Sequence, residues 1–191
     1  IPPGIVPKEA IALTVGIDMQ KHGFWFVVRA WAEDLTSWLI QYGYLATFAD
    51  VEALLFDTRY QVRDSQDTMG IWRAAIDTGG GIEMDDDWTR TEEVYQWLRK
   101  NGRGVVFGIK GASKPDVKRV RIRIIDKMTR GNRPIPGGLE LRFLNTAQFK
   151  ETIHWRLSRK EGENQRFFLH SETGMDYARQ ILAEEKRRDR R

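Results

Sequence analysis

The sequence predicts an α/β domain in which a mixed sheet, made of a three-strand antiparallel meander followed by parallel strands, is flanked by helices. Three observations lead to this fold class. Short apolar runs rich in Val and Ile, typical of buried strands, recur along the chain. The first run is followed by aromatic-rich segments with short polar separators, as expected of successive hairpins. Later runs alternate with amphipathic segments that carry helix-capping and helix-stopping residues.

The meander is predicted in the first quarter of the chain. Residues 12–18 form a short apolar run, and residues 23–31 (GFWFVVRAW) and 38–45 (WLIQYGYL) are aromatic-rich segments that favour β-structure. The two segments between these runs are short enough for hairpins. We therefore expect three consecutive antiparallel strands.

Helices and parallel strands are predicted to alternate after the meander. Asp50 is expected to cap a helix that covers residues 50–57, and the polar segment 58–69 is expected to be a loop. A strand over residues 70–77 and a buried parallel strand over residues 104–109 (GVVFGI) follow. The amphipathic helix between them, residues 91–101, stops at an Asn-Gly pair.

A basic β-hairpin insertion is predicted next. Residues 117–128 alternate basic and aliphatic side chains, which is the period of a half-exposed strand. Residues 134–138 (PIPGG) favour a turn, and residues 139–144 (LELRFL) return as a strand. This strand either pairs with residues 117–126 or lies in the main sheet.

The chain is predicted to close with a helix, a short strand and a second helix. Residues 146–159 place apolar side chains on one side of a helix, and residues 166–170 (RFFLH) form the strand. The last helix, residues 174–186, is expected to be capped by Ser171 or Thr173.

Composition excludes several classes of protein. A chain of 191 residues with 41% hydrophobic and 11% aromatic residues can bury one ordinary core, which argues against disorder. Cysteine is absent, so neither a disulfide framework nor a thiolate nucleophile or metal ligand is available. No apolar run approaches the ~18 residues needed to span a membrane.

The first eleven residues are interpreted as an interdomain linker. Residues 1–7 (IPPGIVP) lack the basic and long apolar regions of a signal peptide, and the chain does not begin with Met. We expect residues 1–11 to follow a missing domain, residues 12–186 to fold as one domain and residues 187–191 to form a basic tail.

Two strand ends carry the strongest chemical signal. Residues 12–18 end on Asp18, and residues 75–81 (AIDTGGG) place Asp77 before a glycine run. If the two strands are neighbours, both carboxylates emerge at one edge of the sheet, where oxygen ligands suit hard divalent cations. The alternative is that each aspartate merely ends a strand. Gly79, Gly80 and Gly81 either admit a phosphate to the backbone or form a turn, and the turn is favoured.

Basic residues are concentrated in the hairpin of a chain whose net charge is +4. A basic stretch in a domain that also bears a carboxylate site indicates a polyanionic substrate, although a solvated charged face explains such a cluster equally well. We expect the hairpin to lie along the backbone of such a polyanion and Lys110, at a strand end, either to contact a phosphate or to be solvent-exposed. The candidate residues for this contact, which are DNA-binding residues if the polyanion is DNA, are Lys110, Lys118, Arg119, Arg121, Arg123 and Lys127.

The order of elements resembles the plan of the ribonuclease H-like nucleases. In that plan a late helix supplies a third carboxylate, which implies that Asp176, in the first turn of the last helix, joins Asp18 and Asp77 as a catalytic metal ligand. An acid at this position is also favoured by the helix dipole, so a structural role for Asp176 is the alternative. Glu172 and His170 are the competing candidates for the third ligand.

The chain also resembles, more specifically, the nuclease domain of the large terminase subunit of lambda-like tailed phages and prophages. The resemblance rests on residues 13–20 (LTVGIDMQ), 38–43 (WLIQYG), 76–80 (IDTGG), 91–97 (TEEVYQW), 108–111 (GIKG) and the helix 145–157 with its Lys150. It implies a metal-dependent endonuclease that cuts concatemeric viral double-stranded DNA during genome packaging in the bacterial host cytoplasm.

The terminase resemblance also implies cofactors and partners. Two Mg²⁺ or Mn²⁺ ions are expected, with Asp18 contacting both, Asp77 one and Asp176 the other. The expected partners are an ATPase motor domain of the same polypeptide, the small terminase subunit and the portal protein. This chain contains no G-x-x-x-x-G-K-[ST] loop, so the motor is absent from it.

Three other functions are compatible with the same residues. A resolvase, integrase or transposase shares the acid pattern on the same fold. A non-catalytic DNA-binding module would use the basic hairpin alone, and metal-dependent cleavage of plasmid DNA separates it from the enzymes. A sugar-kinase-like ATPase also uses a strand-end aspartate before glycines, but usually in a duplicated chain about twice as long.

Overall fold

The structure is a computed structural model that describes residues 1–79, 87–102, 104–112, 118–127 and 134–183, without the side chains of residues 87–89. Its strands, in chain order, are β1 (Ile5–Val6), β2 (Ala10–Gln20), β3 (Gly23–Ala32), β4 (Ser37–Leu45), β5 (Tyr60–Val62), β6 (Thr68–Met69), β7 (Arg73–Asp77), β8 (Val106–Gly111), β9 (Val120–Lys127), β10 (Pro134–Leu144) and β11 (Phe167–Phe168). Its helices are α1 (Phe48–Glu52), continued by a π-helical turn (Ala53–Asp57), α2 (Asp87–Asn101), α3 (Thr146–Leu157) and α4 (Met175–Leu182).

The described strands form one large mixed sheet and one small sheet. The large sheet has eight strands in the order β11-β4-β3-β2-β7-β8-β10-β9. The strands β2, β3 and β4 are the predicted antiparallel meander, and β7 and β8 continue the sheet parallel to β2. The mixed sheet flanked by helices is therefore confirmed. The strand β10 lies between β8 and β9, parallel to β8 and antiparallel to β9, so it occupies both of the positions that the sequence left open.

One face of the large sheet is closed by α1, the π-helical turn and α2. Alternate side chains of β2, β3 and β7, among them Ile17, Phe24 and Ile76, pack there against Val51 and Val94 of the helices. These side chains are fully or almost fully buried. We call this side of the sheet the closed face, and it holds most of the hydrophobic core.

The described residues cover only part of the other face of the sheet, which we call the open face. The carboxyl-terminal helices pack on it: the guanidinium of Arg156 in α3 lies 5.1 Å from the ring of Trp31, and Tyr177 of α4 contacts Tyr42 at 4.6 Å between ring centroids. Near the middle of the sheet, a Cβ atom on Gly16 would meet no atom of the described residues within 4 Å. The open face is thus accessible between these contacts.

The segment 58–69, predicted as a loop, contains β5 and β6. These two short strands pair with each other, and β5 pairs with β1, so they form a separate three-stranded sheet. The prediction of a loop is wrong because strands of only two or three residues leave no clear pattern in a polar segment. In addition, the partner of β5 is β1, which comes from the distant amino-terminal segment. Val6 of β1 is completely buried, and the linker role of residues 1–11 stays a prediction.

Three predicted local features differ from the structure. Thr47, rather than Asp50, caps α1, and the Asp50 carboxylate returns a hydrogen bond to the Thr47 backbone in a capping box. The expected turn at residues 134–138 lies inside β10, where the register is irregular and Gly137 and Gly138 have positive φ, as in a β-bulge. Gly174, without a side-chain hydrogen bond, precedes α4 in place of a Ser or Thr cap.

No helix among the described residues has both the length and the apolar character that crossing a membrane requires.

Candidate active site

Asp18 and Asp77 lie side by side on neighbouring parallel strands. Ile17 of β2 is the register partner of Ile76 of β7, so the following residue on each strand is an aspartate at the same edge of the sheet. The sheet alternation turns both carboxylates to the open face, because Ile17 and Ile76 belong to the core of the closed face. The structure therefore brings together the two acids that the sequence singled out.

The environment of Asp18 favours its protonated form. Partial burial raises the pKa of the Asp18 carboxyl above its ordinary range, and the negative charge of Asp77 raises it further. A hydrogen bond of 2.6 Å, donated by Gln20 Nε2 to Asp18 Oδ2, acts in the opposite direction. A divalent cation between the two carboxylates would relieve their repulsion and replace the solvation that burial removes.

The turn after β7 holds the Asp77 carboxylate in place. The Gly79 backbone N–H donates to Asp77 Oδ1 at 2.9 Å, and the Thr78 hydroxyl donates to the Ile109 carbonyl oxygen at 2.9 Å. A Cβ atom on Gly79 would lie only 3.3 Å from Asp77 Oδ1, so glycine allows this close approach. Gly80 and Gly81 lie outside the described residues.

The two carboxylates open onto a cleft that crosses the sheet. Trp25, Ile109, Gly111 and Thr146 also line it. Thr146 begins α3, and its Cγ2 would lie 3.4 Å from a Cβ atom on Gly111, so the start of that helix borders the cleft. The cleft is thus bordered by an acid pair, an aromatic ring and a helix amino terminus.

Trp25 was not identified as a site residue from the sequence, although the signal is present. Lys21 and His22 form a two-residue hairpin loop, and this fixes Trp25 directly opposite Asp18. The indole is 51% exposed and meets the ring of Tyr44 edge-on at 5.3 Å. Counting the register outward from the hairpin would have placed this side chain beside the carboxylate.

Asp176 lies on another part of the open face. It is exposed in the first turn of α4, where its Oδ1 is 3.8 Å from Arg179 Nη1. The preceding Gly174 N–H donates to the Tyr42 hydroxyl of β4, two strands away from β2. Within the described ranges, no group of three or more His, Cys, Asp or Glu side chains is arranged to hold a metal. Asp176 as third ligand stays a prediction.

The two competitors for the third ligand occupy different environments. Glu172 is exposed. His170 is buried and stacks on Tyr42 at 5.5 Å, and burial lowers the pKa of its imidazole. Its Nδ1 atom has no hydrogen-bond partner in the described part of the chain. His170 thus supports the attachment of the carboxyl-terminal segment to β4.

The predicted DNA-binding residues of β9 do not share the face of the carboxylates. Arg123 pairs with Leu141, which pairs with Gly108 and through it with Ile76 of the closed face. Arg121 has the same orientation, and so by alternation has Lys127. On the side of the open face, β9 presents exposed aliphatic residues, Val120, Ile122 and Ile124.

Two of the other predicted DNA-binding residues, Arg119 and Lys110, lie next to elements that border the cleft. Arg119 donates to the Thr152 hydroxyl of α3, and its guanidinium lies 5.2 Å from the Phe149 ring, so it is on the side of that helix. The stem of Lys110 would lie 3.8 Å from a Cβ atom on Gly79, next to the turn that holds Asp77. Lys118 is exposed just before β9.

Comparison with known proteins identifies the family. The family model described as the endonuclease domain of the terminase large subunit gpA matches residues 1–191. The chain belongs to this family. The resemblance to terminase nucleases is thereby confirmed, and a nuclease role in phage DNA packaging follows from it. Searches of curated proteins and of solved structures returned no match to this terminase domain.

Proposed function

We propose that this terminase domain is a divalent-metal-dependent DNA endonuclease that cuts concatemeric viral DNA by two-metal phosphodiester hydrolysis. The observation that carries the proposal is the pair Asp18 and Asp77, adjacent in register at the carboxyl ends of parallel strands and open to a cleft. Family membership supplies the substrate, DNA, and the biological setting, genome packaging.

The donor set suits Mg²⁺ or Mn²⁺. Both cations prefer carboxylate oxygens, and two carboxylates in a partly buried site would otherwise repel each other. When bound, two such ions would activate the attacking water and stabilise the leaving oxygen. Asp18 lies on β2, the strand between β3 and β7, and would contact both ions. Asp77 would contact one. Asp176 is our proposed ligand for the other, although Glu172 and His170 compete for this role.

The arrangement of strands supports a ribonuclease H-like assignment. The inner strands lie in the order β4-β3-β2-β7-β8, so that the meander is followed by two parallel strands, and the two acids end the adjacent strands β2 and β7. We propose that β9 and β10 form a basic hairpin inserted into this plan before α3.

The basic residues supply the affinity for DNA in this proposal. Arg119, which lies near α3, and Lys110, which lies near the Asp77 turn, are proposed to contact the backbone close to the cleft. Lys118, exposed just before β9, is proposed to contact the same backbone. Arg121, Arg123 and Lys127 would attract DNA that passes the edge of the sheet. Such contacts are independent of sequence and weaken with salt. The motor domain, small subunit and portal protein are the proposed partners, and the host cytoplasm is the proposed location.

Plasmid cleavage tests the proposal directly. Supercoiled DNA is incubated with the protein in Mn²⁺, Mg²⁺ or EDTA, beside Asp77→Asn and the control Asp64→Asn, an exposed residue of the small-sheet region. We expect metal-dependent nicking that falls about 100-fold or more in Asp77→Asn, since loss of a ligand weakens the metal site, and is unchanged in Asp64→Asn. Equal cleavage by Asp77→Asn and wild type, or cleavage in EDTA, would refute the mechanism. Binding without cleavage in any metal would favour a non-catalytic module.

A further inference from the structure

Arg142 occupies the same row of the open face as the two carboxylates. Asp77 is the register partner of Ile109, and Ile109 is the register partner of Arg142 on β10. Residues in one row of a sheet project to the same side, so Arg142 faces the side of the acids. Two strand spacings separate Arg142 from Asp77, a distance of about 10 Å between backbones.

Within the described part of the chain, the contacts of the Arg142 side chain hold it in place but leave donors for a ligand. Its guanidinium carbon lies 3.3 Å from the centroid of the Phe107 ring, and its Nη2 atom is 3.2 Å from Glu140 Oε1. A single contact of this kind engages one of the five N–H donors of a guanidinium. Glu140 is half-exposed, so the ion pair is weak and can be exchanged for a stronger anion.

We propose that Arg142 binds a phosphate of the DNA backbone beside the cleaved bond. This inference rests on the proposed nuclease function, because it uses the cleft as the place of cleavage. A planar guanidinium matches the oxygens of a phosphate in a two-point contact, and stacking on Phe107 orders it beforehand.

Arg159 is the matched control for Arg142. Its guanidinium carbon also lies near an aromatic ring, 4.6 Å from the centroid of Trp155, and its Nε atom is 3.4 Å from Glu163 Oε2. It carries the same charge, but it follows the end of α3 that is opposite to Thr146 and the cleft. A general effect of positive charge on DNA affinity would therefore appear in both residues, whereas a contact beside the two acids would appear in Arg142 alone.

The experiment measures the affinity of the whole chain for a short DNA duplex in EDTA, so that no cleavage occurs. Arg142→Gln, Arg142→Lys, Arg159→Gln and Glu140→Gln are compared with wild type over a range of salt concentrations, after thermal unfolding has shown that each is folded. We expect Arg142→Gln to weaken binding about tenfold and to reduce the salt slope by about 1, as for one lost charged phosphate contact. Arg159→Gln should change affinity about twofold or less, because a surface charge outside the DNA contact contributes little.

The two further variants keep the inference testable if Arg142→Gln does not fold. Arg142→Lys keeps the charge without the planar fork, so we expect an intermediate loss of affinity. Glu140→Gln frees the guanidinium from its carboxylate and should tighten binding, whereas a purely structural ion pair predicts no gain. Unchanged binding in every Arg142 variant that folds, or a larger loss in Arg159→Gln, would overturn the inference. Wild-type binding without metal-dependent cleavage would instead refute the nuclease proposal and leave this contact tested.

Discussion

The two faces of the central sheet differ in what their side chains do. On the closed face, Ile17 and Ile76 are buried among apolar side chains of α1 and α2. On the open face, the very next residues, Asp18 and Asp77, form the acid pair of the cleft. Because side chains of a strand alternate between faces, one short sequence contributes to stability and to the site in turn. Neighbouring positions in these strands therefore have separate roles.

Polar groups are buried on the open face, in contrast to the apolar closed face. Arg29, only 7% exposed, donates from Nη2 to the carbonyl oxygens of Ser37 and Phe168 at 3.0 Å each. Its guanidinium carbon lies 3.4 Å from the centroid of the Phe167 ring. Burial lowers the pKa of Arg29 to about 10. This side chain joins β11, and with it the carboxyl-terminal segment, to the meander.

Adjacent substitutions on β2 should have the largest and most contrasting effects. We expect Ile17→Ala to lower the free energy of unfolding by about 2–5 kcal/mol through lost burial and a cavity. Asp18→Asn should keep or slightly raise the stability, because it removes repulsion from Asp77, and should abolish metal-dependent cleavage. Urea unfolding and plasmid cleavage measure the two properties. A folded Asp18→Asn that cleaves normally, or an Ile17→Ala without loss of stability, would break the distinction between faces.

Removal of Arg29 should give the next largest effect. We expect Arg29→Ala to cost about 2 kcal/mol, since the carbonyl oxygens of Ser37 and Phe168 lose charged donors and the ring of Phe167 loses its partner. Hydrogen exchange should locate the loss of protection in β11 and α4. Arg166→Ala, whose guanidinium lies 4.4 Å from the Phe168 ring, is the control with the same change in charge. Equal effects of the two variants would argue against a specific role for Arg29.

The smallest expected effect is a pH dependence caused by Asp18. Its pKa is raised above 3.8, so the folded state is favoured while the carboxyl is protonated. This contribution is complete below the ordinary pKa and is lost as pH rises through the raised value. Relative to wild type, Asp18→Asn should therefore gain stability between about pH 4 and neutral pH. Added Mg²⁺ or Mn²⁺ should offset this loss in wild type more than in Asp18→Asn, and increasingly as pH rises, because a carboxylate must be ionised to bind the metal. Parallel stability profiles of the two proteins, followed by thermal unfolding, would contradict this expectation.

The sequence predicted the meander, the parallel strands and the acids at their ends because these features depend on local patterns. Period-two alternation, hairpin loops and strand-end aspartates are all visible within about ten residues. The small sheet was missed because β1, β5 and β6 have only two or three residues each and β1 and β5 are far apart in sequence. Trp25 has no sequence motif that marks it as a site residue. Its position opposite Asp18 follows only from the register of the hairpin, which the two-residue loop sets.

The two aspartates, the family resemblance and the alternation of basic and aliphatic residues in β9 can be recognised from the sequence alone. The neighbours of each strand, and therefore the residues that share a row and a face, are known only from the tertiary structure. The pairing of β10 with both β8 and β9 turns Arg121 and Arg123 away from the carboxylates and Arg142 towards their side. Alternation fixes the two sides of each strand relative to each other, but long-range pairing alone assigns those sides to the core or to the cleft.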